Sequence, residues 1–493
     1  MTGAKKRKEH LLPGVSKGAK PPLREREKDM LKQVFEACGA MPPNLIITLM
    51  LLALFCAAAA VSYYGEKKRR PPVKSVSKRK RKKGARTSAE ANNGSAGGSA
   101  YLPVLDGLRA VCALLIFVFH DWQQTWLSAK FQIGGHILNL EPIQRYGYIA
   151  IDAFFVMSGF CLFYPTARSM FGECKKCTWK EFYIKRARRI LPAYYLMLII
   201  LLIFPALSYT AYNVNSAADV AKHFGLHALF LHIYDPSAGG SVISTAWTLG
   251  IEAAFYAAFP FIDFVFRKKP AAVFAAMFAA AQALRLYTAS APNVGMYQMQ
   301  NPLLYLDIFG AGMLSAYCVV YFRHKGAAGR DTRAALTIVS VLCLVCVYMY
   351  MLWMGSARIE GMDAQSYHRL LYRWIPAWLF ALFIFSASYS AEKWQKFWGN
   401  RFFVFMSGIS YSFYLWHQNI HIALRKAHIP PTPAEPVMSD RPAMVIFALL
   451  SISISIAAAV ISTYAVEKPI VRYGYKGCAV RTAAALKKLF KHG

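Results

Sequence analysis

Along residues 101–472 the hydrophobic positions fall in long runs of membrane length, separated by short polar or basic loops. A helix rises 1.5 Å per residue, so about 20 apolar residues cross a hydrocarbon core. On that measure ten spans are expected, at 102–122, 146–166, 190–210, 244–266, 270–289, 302–322, 334–354, 370–389, 402–424 and 442–464. A further apolar run, 43–64, predicts an extra N-terminal membrane helix. The fold class is therefore an all-α, polytopic membrane helical bundle. Its expected organisation is a basic polar arm (1–42), the extra helix (43–64), a polybasic and Ser/Gly-rich linker (65–100), a membrane domain (101–472) and a basic tail (473–493). Residues 211–243, between two spans, contain HFGLHALFLHIYD and predict a short interfacial helix.

Composition agrees with this reading: 56% of the 493 residues are hydrophobic. The net charge of +33 would suggest nucleic acid in a soluble protein, but its distribution argues otherwise. Residues 1–100 hold 22 Lys/Arg against 7 Asp/Glu, a net +15, and the rest of the excess sits largely in short loops. Loops 167–189, 267–269, 323–333 and 390–401, with the tail after Glu467, are basic. Because Lys and Arg accumulate on the cytoplasmic side, both ends of the core are expected inside a plasma membrane, and no nucleic-acid partner is expected. The segment 43–64 has basic flanks on both sides, so it either crosses against this rule or is re-entrant. The sequence EKKRRPPVKSVSKRKRKKGAR after it suits anionic lipid.

Ten cysteines give no disulfide framework, since several lie in apolar helices. Cys174 and Cys177 form a lone CxxC, read as two reduced thiols in a basic loop. His223 and His227 are spaced i, i+4, but there is no HExxH and no evident third ligand, so no metal is expected.

Ionisable residues inside the spans are costly and mark functional paths. Asp106, Arg109 and His120 share one face of the first core helix, with Arg109 and His120 about 16 Å apart along the axis. A histidine satisfied by a helix neighbour is the bland alternative; alignment with Arg109 and Asp106 favours chemistry. Arg186 and Arg189, in WKEFYIKRARRILPAYY, form either an anchor for the third span or a seat for an anionic donor, because guanidinium forks bind phosphate bidentately. Glu252, five residues after Trp247 in TAWTLGIEAAFY, needs a partner or a cavity, as do Asp152 and Asp307 in two other helices; pairing with Arg109 or Arg285 is the structural alternative. Ser410, Tyr414, His417 and His421 form a polar stripe on one helix face, which suits either a hydrated groove or interhelical hydrogen bonding.

The order of these motifs resembles acyltransferase family 3, integral-membrane acyltransferases, over about 101–472. The likeness rests on LDGLRAVCALLIFVFH, IDAFFVMSGF, FYIKRARRILPAYY, WTLGIEAAFY, ISYSFYLWH and VEKP. It implies a ten-helix bundle that moves an acyl group, acetyl foremost, from cytoplasmic acyl-CoA as co-substrate to a hydroxyl of a cell-envelope or lipid-linked glycan. It maps the catalytic histidine to His120 and donor handling to Arg109, Arg186 and Arg189. With Glu252 and Asp106 completing the catalytic set, Asp152, Trp247, Asp307, Ser410, Tyr411, Tyr414 and His417 are expected to line the cavity; no metal is required. Two departures stand out. Ala253 replaces the second acid of the Trp motif, and the chain ends soon after VEKP, without the esterase-like domain that some members carry. Direct transfer with His120 as general base is one mechanism and an acyl-histidine relay another. A transporter or flippase of a glycan or lipid precursor is the competing reading, although no inverted repeat supports it. A membrane scaffold is a third, and it gives no reason for a buried His–Arg–Asp face.

Overall fold

The computed structural model describes residues 101–478 except 208–215, 291–296, 327, 360–361, 432–439 and 476. The basic arm, the segment 43–64, the linker and most of the tail lie outside the described residues. One compact unit, Thr48–Gly493, holds everything described below.

The chain folds as helices α1 (Pro103–Thr125), α2 (Glu141–Tyr146), α3 (Ala150–Met170), α4 (Trp179–Ile203), α5 (Ala217–Ala228), α6 (Trp247–Phe266) and α7 (Pro270–Ala289). These are followed by α8 (Leu306–Lys325), α9 (Arg330–Ile359), α10 (Met362–Leu371), α11 (Trp374–Ser388), α12 (Glu392–Trp398), α13 (Arg401–Lys426) and α14 (Arg441–Ile461). The helix expected within 211–243 is α5. An antiparallel hairpin, Lys130–Ile133 with His136–Asn139, departs from the all-α expectation. Its turn is Gly134–Gly135, both with positive φ, and two adjacent glycines between alternating residues are the signature of such a turn.

Among the described residues seven helices are long and apolar enough to cross a membrane, and an eighth span forms if Gln365–Leu371 and Trp374–Ser388, bent by 47°, count as one. The expected ten is not reached by this measure. Helices α4 and α13 are long enough, at 25 and 26 residues, but α4 carries Arg186, Arg188 and Arg189, and α13 carries the polar stripe. Both are enriched in the residues that build the site. The protein is an integral membrane helical bundle.

Three features fix the geometry around the site. Helices α3 and α8 touch through glycine, because a Cβ at Gly159 would collide with the backbone of Phe309, and one at Gly312 with that of Val156. Helices α1, α13 and α14 share a cluster formed by Ala110, Ala113, Phe117, Met406, Ile409, Phe413 and Ala459. Helix α4 packs through Tyr194, Met197, Leu198 and Leu201 against Val242, Ile243, Ala246, Leu249 and Leu415. Thr178 and Glu181 start α4 with a capping box, which aligns the arginine turn that follows.

Candidate active site

Five helices converge on a cavity that is partly open to solvent. Helix α1 contributes Arg109, α3 Phe154, Ser158 and Cys161, and α4 Arg186 and Arg189. Helix α6 adds Thr248, Glu252 and Tyr256, and α13 adds Ser410, Tyr411 and Tyr414. Three guanidinium groups thus face one carboxylate, leaving the lining strongly positive.

The polar lining is held in place. Arg109 donates to Ser407 Oγ at 3.2 Å and to Cys161 Sγ at 3.8 Å, and lies 3.7 Å from Asp106. Asp106 itself accepts from Ser407 and Tyr101, each at 2.6 Å, so it does not line the cavity but fixes the rotamer of Arg109 from behind. Ser158 donates to Glu252 Oε1 through a short bond, and Tyr256 donates to Oε2 at 2.8 Å. The guanidinium of Arg186 stacks between the rings of Phe182 and Tyr256, 5.8 Å from each centroid. Tyr411 crosses from α13 to donate to the Ile190 carbonyl on α4 at 2.9 Å. Tyr414 closes the far wall, its hydroxyl 2.9 Å from Thr248 Oγ1 and 3.1 Å from the Thr245 carbonyl.

His120 is not in the lining. It sits farther along α1, where its Nδ1–H donates to Gln123 Oε1 at 2.9 Å. The amide oxygen can only accept, so this bond puts the proton on Nδ1 and leaves Nε2 as a free base. Its ring is 5.2 Å from that of His417. His417 is fixed in the same way, donating Nδ1–H to the Tyr414 carbonyl at 2.8 Å while its buried Nε2 has no partner among the described residues. Tyr414 therefore links the two regions, lining the cavity on one side and meeting the His417 ring at 5.7 Å on the other. Behind them, His421 Nε2 is 3.5 Å from Asp121, which also accepts from Ser451 at 3.3 Å.

The polar stripe on α13 is thus divided: Ser410 and Tyr414 line the cavity, beside Tyr411, whereas His417 and His421 join the histidine cluster. Asp152, Trp247, Asp307 and His417, expected to line a cavity, are not among the residues that line this one. Asp307 is locked to Arg285 by bonds of 2.6 and 2.7 Å, both side chains fully buried. Asp152 is paired with Arg373 at 2.6 Å. Trp247 packs against the Tyr305 ring, 6.3 Å away. Asp307 took one of the two arginines considered for it, but Arg373, the partner of Asp152, was missed. It stands in the loop turn that opens α11, where a basic residue looks like a span anchor. Tyr256 and Thr248 were also missed, although both lie four residues from Glu252 and so on its face. Cys161 and Ser407 carried no such signal.

His227 and His232 stack at 4.0 Å between centroids, outside the spans, and burial lowers the basicity of both, that of His232 to a pKa of about 4. Among the described residues no cluster of three ligands could hold a metal.

A family model described as an acyltransferase domain matches residues 102–462. The peptidoglycan O-acetyltransferase OatA of Listeria monocytogenes is 22% identical over 392 residues, which are 76% of this chain and 56% of that protein. The O-acetyltransferase OatA of Staphylococcus aureus is 23% identical over 77% of this chain and 58% of its own length. The putative peptidoglycan O-acetyltransferase YrhL of Bacillus subtilis is 27% identical over 32% of this chain and 23% of its own length. The chain spans somewhat over half the length of the two OatA relatives. No solved structure matches it.

Proposed function

The chain belongs to the acyltransferase domain family, and on that premise we propose that it is a membrane O-acetyltransferase. It takes acetyl from cytoplasmic acetyl-CoA and delivers it to a hydroxyl of a cell-wall glycan, the acceptor class that the names of the relatives suggest. The observation that carries the reading is the division of α1. One end places Arg109 in an arginine-lined cavity, and the other holds His120 with its Nε2 free to accept a proton.

The donor's phosphates bind Arg186 and Arg189 through charge-assisted hydrogen bonds, and the pantetheine arm runs from there toward Tyr414. His120 Nε2 takes the proton from the acceptor hydroxyl as its oxygen attacks the thioester carbon. The tetrahedral oxyanion then collapses to the ester, expelling the CoA thiolate, which recovers the proton from His120. A sugar hydroxyl is weakly acidic, so a positioned base contributes typically 10²–10⁴-fold. Asp106 acts indirectly by orienting Arg109, and Glu252 orients Ser158 and Tyr256 at the donor cavity. Anionic lipid on the basic arm would hold residues 65–86 at the inner surface.

Full-length protein in vesicles, supplied with labelled acetyl-CoA and a glycan acceptor, provides the test. His120→Ala is expected to lose acetyl transfer by a factor on the order of 10²–10⁴ at unchanged protein level and donor affinity. Normal transfer by that variant sinks the general-base assignment. Movement of glycan across the vesicle without acetylation sinks the enzyme reading altogether.

A further inference from the structure

Several arginines lie toward the His120 end of the bundle, and three of them have carboxylate partners. Arg285 is paired with Asp307, Arg373 with Asp152, and Arg145 with Glu141 at 3.5 Å. Arg369, on α10, differs. Its guanidinium lies 4.3 Å over the ring of Tyr148, and among the described residues no carboxylate or carbonyl takes up its N–H donors. Tyr148 is a buried and therefore rigid platform, meeting Phe119 edge-on at 5.4 Å; Phe119 in turn meets the His120 ring at 5.0 Å. The chain of contacts His120, Phe119, Tyr148, Arg369 places a half-buried cation within a few side chains of the proposed base.

We infer that Arg369 forms an anion subsite for the acceptor, binding a carboxylate or phosphoryl group carried by the glycan whose hydroxyl His120 deprotonates. This rests on the acetyltransferase reading. Stacking on Tyr148 orients the planar fork without consuming its donors, which remain available for a bidentate oxyanion. Arg369 lies at the opposite end of α1 from Arg109, so on the proposed sidedness the positive-inside rule gives no topological reason for its charge. It is also remote from the donor cavity, whose lining contains three other arginines. The structure thus separates a donor-anion site from an acceptor-anion site, with His120 near the second.

The test uses the full chain in vesicles with labelled acetyl-CoA and three soluble acceptors built on one oligosaccharide: neutral, carboxylate-bearing and phosphate-bearing. Wild type, Arg369→Gln and Arg369→Lys are compared. The expected result is that Arg369→Gln shifts the ratio of KM for the charged acceptor to KM for the neutral one by about tenfold or more, the scale of a lost charge-assisted bond. Arg369→Lys, which keeps the charge without the fork, should fall between. Whichever charged acceptor shows the shift identifies the anion. An unchanged ratio for both charged acceptors, in a variant that still binds acetyl-CoA as wild type does, overturns the inference while leaving the acetyltransferase reading intact. A wild-type chain that acetylates none of the three overturns both.

Discussion

Two groups of charges occupy the same bundle, the first buried and the second half-buried to exposed, and they differ in how completely they are neutralised. In the first, Arg285 with Asp307 and Arg373 with Asp152, each guanidinium meets a carboxylate at 2.6 Å and both pairs are buried. In the second, Arg109, Arg186 and Arg189 line a cavity whose one lining carboxylate, Glu252, is already engaged by Ser158 and Tyr256, and Asp106 stands behind Arg109 at 3.7 Å. A buried ion pair is expensive to assemble and roughly neutral once complete, so the first group serves to fix helix positions. A cluster with more guanidinium groups than carboxylates beside a cavity keeps donors that an anionic ligand would match. Burial of charge alone therefore does not distinguish a site; an excess of one charge beside a cavity is the more telling feature.

Breaking the matched pair should have the largest effect on stability. Asp307→Leu strands Arg285 and is expected to cost about 3–5 kcal/mol in denaturant unfolding, while the double variant Arg285→Met/Asp307→Leu should recover most of it. A single and a double variant of equal stability would show that the pair contributes no strain when broken. The second effect concerns His232, whose pKa falls from 6.5 to about 4 on burial. The unfolded chain then binds a proton first, so stability should drop as pH falls from about 6.5 toward 4, by up to about 3 kcal/mol. His232→Asn should flatten that part of the pH profile of the melting temperature, and an unchanged profile would refute the assignment. The smallest effect belongs to the unmatched group. Arg186→Ala and Arg189→Ala should each weaken acetyl-CoA binding by about tenfold in titration calorimetry, with unchanged melting temperature. Lost stability with normal donor affinity would move both arginines into the first group, as span anchors.

Much of the site could be read from the chain because it lies on single helix faces. Arg109 and His120 share a face of α1, and Ser410 and Tyr414 share a face of α13; 3.6-residue periodicity is a local property. What could not be read was which faces meet. The Asp152–Arg373 pair joins residues 221 positions apart, and Ser407 reaches Asp106 across 301. Nothing in the spacing of either helix encodes those distances. Hydropathy alone leaves α4 and α13 out of the candidate spans, since it penalises the arginines of α4 and the polar stripe of α13, and those side chains are accommodated by their neighbours.

The sequence by itself determined that this is a membrane helical bundle and that α1 carries unusual polar residues, because hydropathy and helix period follow from residue order alone. It also carried the family motifs. The tertiary structure alone decided that Asp152 and Asp307 are each locked to one arginine while Arg109, Arg186 and Arg189 gather around a cavity with a single lining carboxylate, and that Tyr414 stands between the cavity and the histidines. Among the described residues it also left Arg369 without a carboxylate. The reason is electrostatic: whether a buried charge is structural or available depends on what stands within about 4 Å of it, and that is fixed only when distant helices pack.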